Sequence, residues 1–343
     1  MKKVFSFALA AAVACALFAG CTTGGPAPSK NNNVEAEGAL KTGLGVITST
    51  KATAAADGAE GSFAPTFTAA AVVVDENGTI VDCKLDVLQA SVAFGADGQI
   101  TTDTAAAMPT KQERGDDYGM RGASGIGKEW YEQADAFCSY AVGKTVDQLA
   151  AGADETGTPT DADLTAGCTI GVSDFIKAVA AAAENATVRG AQEGDTLALA
   201  LLPDASGSAS ATADAAGTAS VDVTFVAATQ NAEGAFTSMF VDMPQTAATF
   251  DATGAITDDG SADVRSKYEK KEDYHMKGAS AIGKEWYEQA DAFCSYAVGK
   301  TMDQLAAGAD ETGKGTDADL TAGCTINVSN LMQAAAKAAG AEA

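Results

Sequence analysis

The chain repeats itself. Gly122-Ala123-Ser124 recurs as Gly278-Ala279-Ser280, an offset of 156 residues, and between Gly122–Ser173 and Gly278–Ser329 only five positions differ. These are Gly125/Ala281, Val146/Met302, Thr158/Lys314, Pro159/Gly315 and Gly171/Asn327. The register continues upstream without a gap: Asn77-Gly78 lies over Glu233-Gly234, Gln89 over Gln245, Phe94 over Phe250, and Gly98-Gln99-Ile100 over Gly254-Ala255-Ile256. Self-similarity on this scale means two copies of one folding unit. Repeat domains are therefore expected at 37–186 and 193–343, joined by a linker at 187–192, each of ordinary single-domain size. The second half of each copy is nearly invariant and the first half is not, a difference that function at the second half or recombination between the copies would each produce.

Within a copy the pattern switches from strand to helix. Thr68 to Val74 and Thr79 to Leu88 flank the turn Asp75-Glu76-Asn77-Gly78, and Asn-Gly between β-rich runs signals a hairpin. In the second run Ile80, Asp82, Lys84 and Asp86 alternate with Val81, Cys83, Leu85 and Val87. The equivalents in copy two are Val221 to Val226 and Ala235 to Met243, and a third strand of copy one ends at Gly95-Ala96-Asp97-Gly98. Ser124 or Ser280 then stands as an N-cap, followed by Ile126, Trp130, Ala134, Phe137 and Ala141 on one helix face. A glycine-rich acidic loop and a closing helix from about Asp174, capped by Ser173 or Ser329, complete the copy. The expected class is α+β: two tandem copies of a small domain with an antiparallel sheet and two main helices.

The N-terminus reads as an export signal. Met1-Lys2-Lys3 precedes the apolar run Val4 to Ala19, which is short for a membrane span, and residues 1–20 are expected to be a signal peptide. Leu17-Phe18-Ala19-Gly20-Cys21 resembles the lipobox of bacterial lipoproteins, which implies a diacylated Cys21 and a lipid-anchored protein at the extracytoplasmic face of the cell membrane. Residues 21–36 are polar and rich in Gly, Pro and Asn, as in a flexible tether. Loss of Lys2 and Lys3 with the signal takes the formal charge from −24 to −26, a surface that repels nucleic acid.

His275 is the only histidine and stands opposite Gly119, so a histidine triad or histidine-bearing zinc site common to both copies is excluded. No pair of acids stands out from a solvated surface. The repeated pairs Cys138/Cys168 and Cys294/Cys324 suggest one disulfide per copy, closing a loop of about 30 residues and contributing about 3 kcal/mol. A redox-active thiol pair and two reduced buried cysteines are the alternatives. Cys83, opposite Met239, reads as a core residue on a strand.

Copy one carries Asp163-Leu164-Thr165-Ala166-Gly167-Cys168-Thr169 before its last helix, and copy two Asp319-Leu320-Thr321-Ala322-Gly323-Cys324-Thr325. With the preceding hairpin and helix, this order resembles the FMN-binding domain family, which includes lipoprotein electron carriers and a subunit of sodium-pumping quinone reductases. The motif keeps the family's Asp, Gly and acceptor Thr, and departs from it with Ala166, Cys168 and Gly171 or Asn327. The resemblance implies covalent FMN esterified by a flavin transferase to Thr169 and Thr325, with Asp163, Asp319, Gly167 and Gly323 as further cofactor-binding residues. Ser124 and Ser280 are second-choice acceptors. Trp130 and Trp286 would stack on a flavin ring or belong to the core.

The implied function is electron transfer from a membrane donor to an extracellular acceptor, without a substrate pocket of its own. The rival is a non-catalytic surface lipoprotein whose tandem domains bind a cell-wall, protein or small ligand without flavin. Either is an electron-transfer or binding protein rather than a catalyst.

Overall fold

The computed structural model describes residues 38–340 except Asp57; the expected signal peptide, Cys21 and tether lie outside the described residues. Repeat one contains the strands β1 (Lys41–Ser49), β2 (Ala52–Thr53), β3 (Gly61–Phe63), β4 (Thr66–Val74), β5 (Ile80–Gln89) and β6 (Val92–Phe94). Its helices are α1 (Lys111–Arg114), α2 (Trp130–Ala141), α3 (Val146–Ala150), α4 (Ala162–Thr165) and α5 (Ser173–Glu184). Repeat two contains β7 (Thr196–Asp204), β8 (Gly217–Gln230), β9 (Phe236–Asp242), β10 (Gln245–Phe250) and β11 (Ile256–Asp258). Its helices α6 (Lys267–Lys270), α7 (Trp286–Ala297), α8 (Met302–Ala306), α9 (Ala318–Thr321) and α10 (Ser329–Ala338) each begin 156 residues after their counterparts. The α+β class is as expected, with every strand pairing antiparallel.

The layering follows from which side chains alternate strand residues present. On β4, Phe67, Ala69, Ala71 and Val73 face a core shared with Val221, Val223, Phe225 and Ala227 of β8. Ala70, Val72 and Val74 face the opposite way, onto α2 and α5, and Val226 and Ala228 likewise face α7 and α10. Both central strands are buried on both faces, which is why they read as continuous apolar runs rather than alternating ones. The result is four layers: helices, sheet β1-β4-β5, sheet β7-β8-β9, helices. The two repeats, expected as separate domains, form one compact unit around this middle core.

The repeats meet through equivalent residues. Phe94 stacks on its own counterpart Phe250, with ring centroids 3.9 Å apart and planes 3° from parallel. The Ala55 N–H donates to Gly254 O at 2.9 Å, and the Ala211 N–H donates to Gly98 O at 2.8 Å. Gly98 and Gly254 are left-handed, and a Cβ on Gly254 would stand 2.6 Å from Ala55 Cβ, so this contact accounts for both glycines. The expected linker is also fastened: Thr187 bridges Thr42 of β1, and Arg189 pairs with Asp291 at 3.0 Å and lies over the Phe240 ring.

Two local expectations change. The strict alternation on β5 breaks at Val81, which is 43% exposed while Ile80 is fully buried. A bulge there leaves Val81 unpaired between Asp82, opposite Val73, and Ile80, opposite Val74. Ser124 does not cap α2; Glu129 does, in a capping box with Glu132. Ser173 and Ser329 occupy the first helical position, after Val172 and Val328.

His275 takes a left-handed φ of 57°, where its counterpart Gly119 has 76°. A Cβ in this region is strained by about 1 kcal/mol. His275→Gly is expected to stabilise the protein by about 1 kcal/mol in urea unfolding; an unchanged or lowered midpoint would show that the imidazole compensates for the strain.

Candidate functional site

The two motifs singled out in the sequence meet in space. The Thr169 N–H donates to Gln133 Oε1 at 2.9 Å and its hydroxyl donates to the same oxygen at 3.3 Å. Gln133 Nε2 in turn donates to Ser124 Oγ at 3.1 Å and to the Lys128 carbonyl at 3.2 Å. Repeat two builds the same bridge from Thr325 through Gln289 to Ser280, with distances of 2.8, 3.1 and 3.0 Å. First-choice and second-choice acceptors are thus joined by one fully buried amide. The sequence signal for Gln133 was a glutamine among Trp130, Ala134 and Phe137 on an apolar helix face, repeated in both copies.

The other motif residues have separate explanations. A Cβ on Gly167 would stand 2.7 Å from Ala136 Cβ of α2, and one on Gly323 would stand 2.7 Å from Ala292 Cβ of α7. These glycines therefore admit a helix. Asp163 and Asp319 lie exposed in the first turns of α4 and α9, and among the described residues their carboxylates make no hydrogen bond to the threonines.

The cysteines of the expected Cys138–Cys168 and Cys294–Cys324 pairs lie in the two helix–sheet cores, and all five described cysteines are free and buried. Burial pushes the thiols of Cys168 and Cys324 up to about 11 and that of Cys294 up to about 12, away from the thiolate a redox-active pair needs.

The isoleucine that follows each threonine lines a cavity that the sequence did not reveal. In repeat one a space of about 430 Å³ is lined by Lys111, Tyr118, Met120, Trp130, Ile170 and Phe175. In repeat two a space of about 420 Å³ is lined by Lys267, Tyr274, Met276, Trp286, Ile326 and Leu331, each 156 residues further on. Lys111 Nζ lies 4.9 Å from the Tyr118 ring centroid and 5.2 Å from that of Trp130. Lys267 Nζ lies 5.3 and 5.5 Å from Tyr274 and Trp286. Neither ammonium makes a salt bridge among the described residues. Burial lowers the Lys267 pKa from its ordinary value. Trp130 and Trp286 are 3% and 4% exposed, so they belong to the core while lining the cavity.

Three buried polar side chains fix the loops around each cavity. Asp86 accepts the Gln112 N–H at 3.1 Å and Asp242 accepts the Tyr268 N–H at 3.1 Å, which seats the short helices bearing Lys111 and Lys267. Glu129 accepts the N–H groups of Met120 and Arg121 at 2.8 and 2.7 Å; Glu285 accepts those of Met276 and Lys277 at 2.8 and 3.0 Å. Gln133 and Gln289 hold the segment leading to Ile170 and Ile326. The copies differ at the rim: Thr66, Val87, Gly171 and Asp174 stand in one, Asp222, Met243, Asn327 and Asn330 in the other.

No family model matches the chain, and no curated protein or solved structure is similar to it.

Burial raises the pKa of both Asp86 and Asp242 to about 6. Between about pH 4 and 6 the folded state therefore holds protons that the unfolded state has released, so the contribution of this pair to stability rises as pH falls from 7 to about 4.5. It is lost as pH rises through 6. Below 4 the exposed aspartates with lowered pKa, such as Asp154, Asp251 and Asp310, act in the opposite sense. The melting temperature is expected to be higher at pH 5 than at pH 7.5, and Asp86→Asn with Asp242→Asn should flatten that slope; an unaltered slope in the double variant would assign it elsewhere.

Proposed function

We propose that the chain is a lipid-anchored extracytoplasmic binding protein with one small-ligand site in each repeat. The observation that carries this reading is the recurrence of the same cavity, with Lys, Tyr, Met, Trp and Ile at equivalent positions and its loops fastened by equivalent buried polar groups. A cavity of this size, lined by both apolar and polar side chains with one lysine among them, suits a compact ligand. The ammonium, set over aromatic rings and making no salt bridge among the described residues, favours a flat group bearing an anion, with Asp174 in one cavity and Asp222 in the other sharing its lining. Anchored through Cys21, two such sites on one chain would present their ligands at the outer face of the cell membrane.

A second reading keeps FMN. Thr169 and Thr325 are exposed, and each immediately precedes the isoleucine that lines its cavity. These threonines would hold the phosphate, with Lys111 and Lys267 and the neighbouring aromatic residues beside the ring. FMN would supply one- and two-electron transfer between a membrane donor and an extracellular acceptor, after attachment by a flavin transferase. The residues fit this group at the acceptor hydroxyl and the adjoining cavity.

Calorimetric titration of the mature chain with 2-naphthoate, against neutral 2-naphthalenemethanol, tests the binding reading. Saturable binding of the anion is expected, reduced at least tenfold by Lys111→Ala with Lys267→Ala, and absence of saturable heat at millimolar ligand would overturn it. Co-expression with a flavin transferase tests the second reading. A mass gain of one or two FMN groups, abolished by Thr169→Ala with Thr325→Ala, would support it, and no gain would remove it.

A further inference from the structure

One pair of thiols lies outside the repeat pattern and outside the cavities. Cys83 on β5 and Cys138 on α2 are 3% and 7% exposed, and their sulfurs are 3.5 Å apart. In repeat two the counterpart of Cys138 is Cys294, but the counterpart of Cys83 is Met239. The contact therefore exists in repeat one alone. Cys168, which the repeated spacing made the natural partner of Cys138, takes no part in it.

We propose that Cys83 and Cys138 are joined by a disulfide as the exported chain folds. A disulfide needs its sulfurs about 2.05 Å apart with the β-carbons about 4 Å apart, and two sulfurs already in contact between a strand and the helix packed on it require a closure of about 1.5 Å. The oxidant is an external disulfide, either a low-molecular-weight one or that of a thiol oxidase. Thiolate at one cysteine attacks it, releasing one thiol; the second cysteine then displaces the other, so the protein loses two hydrogens and the oxidant becomes two thiols. The exchange takes place before the core closes, while both thiols are accessible. In a chain that packs unlinked, the Cys138 thiol is pushed well up by its hydrogen bond with Cys83 and by burial, and is inert.

The link ties β5, which carries Asp86, to α2, which carries Trp130 and Gln133. It thus staples the scaffold of the first cavity and leaves the second free. Repeat one becomes the redox-dependent half of the protein and repeat two the redox-independent half.

The test uses the full mature chain refolded with oxidised and reduced glutathione, alkylated, digested without reduction and analysed by mass spectrometry. A linked peptide pair containing Cys83 and Cys138, two hydrogens lighter than the free peptides, is expected. Reductant should lower the melting temperature of the wild type and leave that of Cys83→Ser with Cys138→Ser unchanged; Cys83→Met, the residue used by repeat two, provides a folded variant that cannot form the link. Alkylation of both cysteines in the oxidatively refolded protein, or linkage of Cys138 to Cys168, would overturn the proposal.

Discussion

The whole molecule depends on apolar surface that neither repeat can bury alone. Each sheet has two apolar faces, one covered by its own helices and the other only by the opposite sheet. Phe67, Phe225 and the stacked pair Phe94 and Phe250 sit in that middle layer, fully buried. Burying a side chain of this size contributes about 1.5–3 kcal/mol, a large part of the marginal stability of any domain. Each repeat therefore supplies the other's missing half of a core. The hydrogen bonds exchanged between Ala55 and Gly254 and between Ala211 and Gly98 then fix how the halves meet.

The cavities follow from this frame at one remove. Because β5 and β9 are held between two cores, Asp86 and Asp242 can be placed at fixed depth beneath the short helices that carry Lys111 and Lys267. Glu129, Glu285, Gln133 and Gln289 perform the same task from α2 and α7. All six side chains are buried, and all six bind backbone N–H groups of loops that border the cavities. Buried polar groups with satisfied hydrogen bonds rigidify their surroundings. For Glu129, Gln133, Glu285 and Gln289, which lie in the near-identical second half of each copy, this gives a physical reason for their recurrence.

Much of this was legible in the sequence. The repeat, the β4–β5 hairpin with its Asn77-Gly78 turn, the apolar face of α2 and the closing helix α5 each follow from local chemistry. The shared core was not legible, because a run such as Ala69-Ala70-Ala71-Val72-Val73-Val74 does not say what lies on its second face. β1 carries no strand pattern because Gly43 and Gly45 interrupt it; added β-carbons there would run into the carbonyl oxygens of Ala182 and Ala178, so α5 rests on bare backbone. Asp86 and Glu129 were hidden among 46 acidic residues, where nothing in composition separates a buried carboxylate from a solvated one. The motif around Thr169 was visible, but its glycine answers to Ala136 of α2 and its threonine to Gln133.

The central claim is that the two repeats share one core. The most direct measurement is to produce residues 193–343 alone and follow their urea unfolding by circular dichroism, with sedimentation to fix the oligomeric state. Val221, Val223, Phe225 and Phe250 would then lose their cover. The shared core predicts a fragment that either pairs with a second copy through this face or lacks a cooperative transition, whereas the whole chain unfolds in one step. A monomeric fragment that unfolds cooperatively with the stability of the whole chain would contradict it.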